Sequence, residues 1–249
     1  MLLTRLLRMR RTKMTDLSIA SAEMHARDIL RQLHIKTFPV NIFEVADALD
    51  YKYKSLDDIR DLGSAAAQNF ASIFASAEID AVHIPDLNNL IVYDPSKPAG
   101  RISFSVAHEM GHIYEGHKPN GRNGVAHRLT LAQERQANAF AAELLRPTAV
   151  FQMFPRHNCT TFSDWFGVTL ACAEVGKNRA RKLPENFATQ QFYWNRFCDF
   201  FHLYKCPQCG FELVSFDEDP CCPDCFITMA RYCKYDSAYF DFLNYKDHA

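Results

Sequence analysis

The 249-residue sequence predicts an α+β chain: a mostly helical domain with a small antiparallel sheet, then a helical segment and a four-cysteine zinc ribbon. Three observations carry this. Apolar residues recur at helical spacing over most of the chain, while strand-like runs are short and few. The string His108-Glu109-Met110-Gly111-His112 lies on one amphipathic helix, and a second capped helix follows it. Two Cys-Pro-x-Cys pairs lie near the C-terminus, with 12 residues between Cys209 and Cys222.

The totals bound the function. The chain is 48% hydrophobic and 23% charged with a net charge of −1, an ordinary globular composition. Balanced charge gives no general affinity for nucleic acid or a membrane surface. No apolar run approaches the about 20 residues of a membrane span. The start, MLLTRLLRMRRTK, is basic and lacks the unbroken apolar core of a secretory signal. Residues 1–16 are read as a basic, disordered tail. Nine cysteines, five of them between 206 and 225, with no export signal, point to metal rather than disulfides and to the cytoplasm.

The elements follow in order. Residues 17–33 place Ile19, Ala22, Ala26, Ile29 and Leu30 on one helical face. A second helix, NIFEVADALD, starts at Asn41 after Pro39. YKYKSL (51–56) alternates as a short strand. AVHI (81–84) and LIVY (90–93) flank the turn residues Pro85-Asp86-Leu87-Asn88-Asn89, so they form a hairpin. Asp94-Pro95-Ser96-Lys97-Pro98 breaks the chain before the HEMGH helix, which ends at Gly116. Thr130 with Gln133 makes a capping box for the next helix, which stops before Pro147. The expected organisation is 17–150 as the main domain, 151–204 as a helical extension, 205–235 as the ribbon and 236–249 as a tail.

Positions four apart on a helix share a face, so His108 and His112 can point at one metal. Glu109 is turned about 100° from His108, beside the metal, where its carboxylate can take a proton from water. Gly111 leaves space for whatever packs there. A catalytic zinc takes three protein ligands. His117, His127, Glu134 and Glu143 are the candidates for the third. Glu134 is favoured: it lies in the first helical turn, and Asn138, four residues on, can orient a ligand. Glu143 lies half a turn out of phase with Glu134 and is the alternative.

FSVAHEMGH followed by ERQANAFAAELLRP resembles the ImmA/IrrE family of zinc metallopeptidases. Glu134, Ala137, Asn138, Phe140, Ala141, Leu144, Leu145 and Pro147 match its second-helix signature, and PVNIFEVADAL (Pro39–Leu49) fits the upstream part. The resemblance covers about residues 20–150. It implies a gluzincin-like fold and a substrate that is a helix-turn-helix transcriptional repressor in a phage, mobile-element or stress circuit. Arg146 stands where the family usually has Met, and Arg101 where it often has Arg. Residues 161–182 are similar to the family's next segment, two helices about a turn at Phe166-Gly167-Val168. Plain packing helices are the preferred reading there.

Each C-P-x-C pair, Cys206/Cys209 and Cys222/Cys225, turns two thiols toward one ion. Four thiolates close a structural zinc site with no position for water. Cys221 is spare. FELVSF (211–216) alternates as a ribbon strand. DNA contact by the ribbon is unsupported by any Lys/Arg cluster. Two zinc ions are therefore expected, one catalytic and one structural.

The expected activity is peptide hydrolysis, with His108, His112 and Glu134 on zinc and Glu109 as general base and acid. His127, Tyr114 and His117 are within chain reach as oxyanion donors. LIVY is a candidate for pairing with an extended substrate. Two other readings remain: a conditional or non-catalytic regulator that binds protein or DNA through its ribbon, and an SprT-like DNA-associated protease.

Overall fold

A computed structural model describes residues 18–117, 129–155, 157–197, 200, 203–214 and 220–231. The expectations for residues 1–16, His127 and 236–249 lie outside these residues. The chain divides into two compact units, Met1–Glu185 and Asn186–Ala249, each described by itself.

In the first unit, helix α1 spans 18–32, and Ala22, Ala26, Ile29 and Leu30 are buried along one face. Helix α2 (Ile42–Ala48) is capped by Asn41, whose side chain accepts from the Phe43 N–H. Strand β1 (Tyr53–Ser55) runs directly into α3 (Leu56–Arg60), where Ser55 and Asp58 form a capping box. Helix α4 (Ala65–Ser76) follows, capped by Ser64. The sequence analysis assigns no element here, although Ala67, Ala71 and Phe74 do recur at helical spacing. Strands β2 (Ala81–Ile84) and β3 (Leu90–Tyr93) form the expected hairpin, in register Val82 to Val92 and His83 to Ile91. Asn88 and Asn89 turn it with φ of 57° and 56°, a region asparagine tolerates.

The sheet is mixed, not antiparallel. Its order is β1-β3-β2, with β1 parallel to β3 and β2 antiparallel to it. The chain passes through α3 and α4 between β1 and the hairpin, and a crossover of that length permits parallel pairing. LIVY is therefore the central strand, with both its sides occupied, and AVHI and Tyr53–Ser55 are the edge strands. The reading of LIVY as a substrate-pairing strand is corrected accordingly. Leu56, Ile59, Ala67, Ala71 and Phe74 bury against Val92 of the sheet.

Helices α5 (Ala99–Tyr114) and α6 (Leu131–Leu145) carry the two motifs. Thr130 and Gln133 form the capping box at the start of α6. The two helices approach closely at Gly111, where a Cβ would stand 3.1 Å from the Ala137 Cα and 3.2 Å from its carbonyl oxygen. Helices α7 (Thr148–Met153), α8 (Cys159–Phe166) and α9 (Leu170–Ala180) close the unit. Phe151, Phe162, Trp165 and Phe166 form their aromatic core. The basic end of α9 is used within the unit: Arg179 pairs with Glu23 of α1, and Lys177 donates to the His157 carbonyl. That use fits two packing helices.

The second unit holds α10 (Phe187–Phe197) and a small sheet of β4 (Leu203–Lys205), β5 (Glu212–Val214) and β6 (Ala230–Arg231), in order β5-β4-β6. The pairings are antiparallel, with Tyr204 opposite Leu213 and Arg231.

Candidate active site and metal centres

The close crossing of α5 and α6 brings three groups together. His108 and His112 stand one turn apart on α5, and their Nε2 atoms face each other at 2.9 Å. The Glu134 Oε2 of α6 lies 3.3 Å from His108 Nε2 and 3.8 Å from His112 Nε2. Two ligands on a tetrahedral zinc, each about 2.0–2.2 Å from the ion, stand about 3.3–3.5 Å apart. The observed separations bracket that spacing, so these three residues fit one small cation. Glu143 does not approach it. Its carboxylate is buried and pairs with Arg27 of α1. The half-turn phase difference along α6 sends the two glutamates to opposite sides.

The protonation chemistry suits ligation. Burial pushes the His112 imidazole down to about 3, helped by His108, His117 and His83. His108 is also lowered by burial, against the pull of Glu134 and a hydrogen bond with Asn138. Both rings are therefore neutral near pH 7, the form that binds metal. Asn138 thus lies beside His108, one of the three candidate ligands.

Glu109 lies on the neighbouring face of α5. Burial pushes its carboxyl up to about 7, partly offset by the His83 backbone N–H, which donates to its Oε2 at 3.0 Å, while Glu134 raises it further. This bond fastens the base to the edge strand β2. The His83 N–H points away from β3, as the alternation of an antiparallel ladder requires. Arg101 adds a second tie, donating to Asp80 just before β2 at 2.6 Å. Local sequence could not disclose that a backbone amide 26 residues upstream orients Glu109.

The other named residues fall as follows. His117 lies behind the site. One ring nitrogen is 2.8 Å from His112 Nδ1 and the other 3.2 Å from Gln136 Oε1. Gln136 in turn donates to the Ser18 carbonyl of α1 at 3.4 Å. Both His117 nitrogens are engaged, so its place suits orientation of a ligand ring rather than contact with a substrate oxygen. Tyr114 packs against His25 and Phe140 with its ring partly exposed.

The second cluster lies in the ribbon. The sulfurs of Cys206, Cys209, Cys222 and Cys225 gather together, all within 4.8 Å of one another. Cys209 and Cys222 are 3.6 Å apart, far outside disulfide length and near the about 3.8 Å of two thiolates on one zinc. The knuckles match: Gly210 N–H donates to the Cys206 carbonyl at 3.0 Å, and Phe226 N–H to the Cys222 carbonyl at 2.9 Å. Backbone N–H groups, Cys209 first, draw Cys206 down to about 7, whereas hydrogen bonding with Cys209 pushes Cys225 up to about 12. Four thiols so placed ionise together only around a cation. Cys221 is exposed and outside the cluster.

The family model described as the IrrE N-terminal-like domain, Peptidase_M78, matches residues 65–175, a span that contains all of α5 and α6. No curated protein and no solved structure matched the chain.

Proposed function

We propose, starting from an IrrE N-terminal-like peptidase domain over residues 65–175, that the chain is a zinc-dependent endopeptidase whose substrate is a helix-turn-helix transcriptional repressor. A metallopeptidase of the ImmA/IrrE type follows from the family. The zinc, the substrate and the regulatory setting are the reading offered here. The observation that carries it is the convergence of Glu134 on His108 and His112, with the part-buried Glu109 alongside.

Two imidazoles and one carboxylate are a common catalytic zinc set. Zinc bound there would polarise a peptide carbonyl and make a water more acidic. Glu109 takes the proton of the attacking water and delivers it to the leaving amine. Burial raises the carboxyl's affinity for a proton above that of an ordinary glutamate, which suits it to taking and returning one. The His83 N–H keeps that carboxylate aimed while the proton moves. Strand β2, at the sheet edge beside α5, can align an extended substrate by main-chain pairing. Cys206, Cys209, Cys222 and Cys225 hold a second zinc that maintains the ribbon fold. The reading places the protein in the cytoplasm on its cysteine usage. Among the described residues no helix is long and apolar enough to cross a membrane.

Glu109→Gln tests the mechanism. The zinc-loaded variant, incubated with helix-turn-helix repressors that the wild-type chain cleaves, should keep both metals and the wild-type melting temperature and leave them intact. Cleavage at the wild-type rate would overturn the assignment. Repressor binding without cleavage by the wild-type chain would instead favour a non-catalytic regulator.

A further inference from the structure

The C-terminal end of α6 holds a charge that catalysis does not use. Arg146 is only 6% exposed. Its Nε donates to the Cys172 Sγ of α9 at 2.9 Å. The guanidinium lies 5.7 Å over the Phe104 ring. It also lies against Gly176, one turn after Cys172, where a Cβ would stand 2.8 Å from Nη1. That missing Cβ makes room for the guanidinium on the α9 face. Nη1 is buried with no hydrogen-bond partner among the described residues.

Buried charges are ordinarily met by a carboxylate or by strong acceptors. Here the bonded side-chain acceptor is a thiol, which accepts weakly. Cys172 itself is part-exposed. The thiol of a part-exposed residue thus faces a desolvated cation that is short of acceptors.

We propose that Cys172 is a modification site, oxidised by hydroperoxides to a sulfenic acid that Arg146 holds. The sulfur attacks one peroxide oxygen, an S–O bond forms and the O–O bond breaks. Sulfur loses two electrons, the peroxide is reduced, and its leaving oxygen takes the thiol proton and departs as water from hydrogen peroxide or as an alcohol from an organic hydroperoxide. The new oxygen is a far stronger acceptor than sulfur, and it supplies the guanidinium with the partner it lacks. Cys159 is the natural comparison. It is also part-exposed, and it opens α8, where a helix N-terminus favours a reactive thiol on general grounds.

The test uses the full zinc-loaded chain, a few-fold excess of hydrogen peroxide, a carbon nucleophile that traps sulfenic acids, and peptide mass spectrometry. Cys172 should be trapped at least tenfold more than Cys159. Arg146→Met, with its melt measured alongside, should reduce Cys172 trapping at least fivefold. Trapping of Cys172 at or below the Cys159 level in the wild-type chain overturns the proposal, and this comparison needs no variant. Unchanged trapping in a folded Arg146→Met chain overturns it as well.

Discussion

Gly111→Ala probes how the site is assembled without touching a ligand. The added Cβ would lie 3.1 Å from the Ala137 Cα, 3.2 Å from the Ala137 carbonyl oxygen and 3.2 Å from Phe140 Cδ1. Ordinary carbon contacts are about 3.5–4.0 Å, so α6 must retreat by about 0.5 Å. Two of the three obstacles are backbone atoms and cannot rotate away. Glu134 stands one turn before Ala137 on the same helix and moves with it, away from imidazoles now 3.3 and 3.8 Å distant. Overpacking of this kind costs about 1–3 kcal/mol, against about 1 kcal/mol gained from helix propensity. The expected result is zinc affinity at the α5–α6 site weakened about tenfold, the low end for disturbed ligand orientation. Titration against a chelator of known affinity measures it, and the four-cysteine site in the other unit is the internal reference. Unchanged affinity together with a raised melting temperature would show that the glycine is not needed for the crossing, and the reasoning would fail.

Glu143→Gln should destabilise the first unit by about 2 kcal/mol, because it removes the charged acceptor of a part-buried hydrogen bond from Arg27, yet leave zinc affinity intact; thermal melts and metal titration separate this from Glu134→Gln, which should lose the metal. His117→Ala should lower zinc affinity at the α5–α6 site by about 10–100-fold, since it removes the partner of His112 Nδ1; equal affinity in the same titration would remove its orienting role. Phe226 is 84% exposed with φ of 55°, at the position where the first knuckle has Gly210 with φ of 73°. Phe226→Gly should therefore stabilise the ribbon by about 0.5–1 kcal/mol, the left-handed cost less the added glycine entropy, read as slower zinc release to a chelator.

Most of the site's chemistry was legible because its signals are local. His108, Glu109 and His112 lie within five consecutive residues, and helical geometry alone puts the two histidines on one face. Thr130 and Gln133 announced the start of α6 by a capping pattern that the structure contains. The choice of Glu134 over Glu143 rested on its place in the capped first turn of the helix and on Asn138 four residues on. The cysteine knuckles needed only their spacing and the turn chemistry of proline.

What stayed hidden depends on pairs far apart in the chain. The sheet was mixed rather than antiparallel because nothing in YKYKSL says which strand it will join or in which direction. For the same reason LIVY became the central strand and AVHI an edge strand. The His83 N–H on Glu109, the Gln136–His117–His112 chain and the Arg27–Glu143 pair each join residues that no periodicity relates. The sequence by its own pattern settled which side chains face together along a helix or within a knuckle. Tertiary packing decided which helix meets which, and how closely, since that rests on shape at contacts such as Gly111 against Ala137. A side chain's direction is dictated within a few residues, but its partner is chosen by the whole packed core.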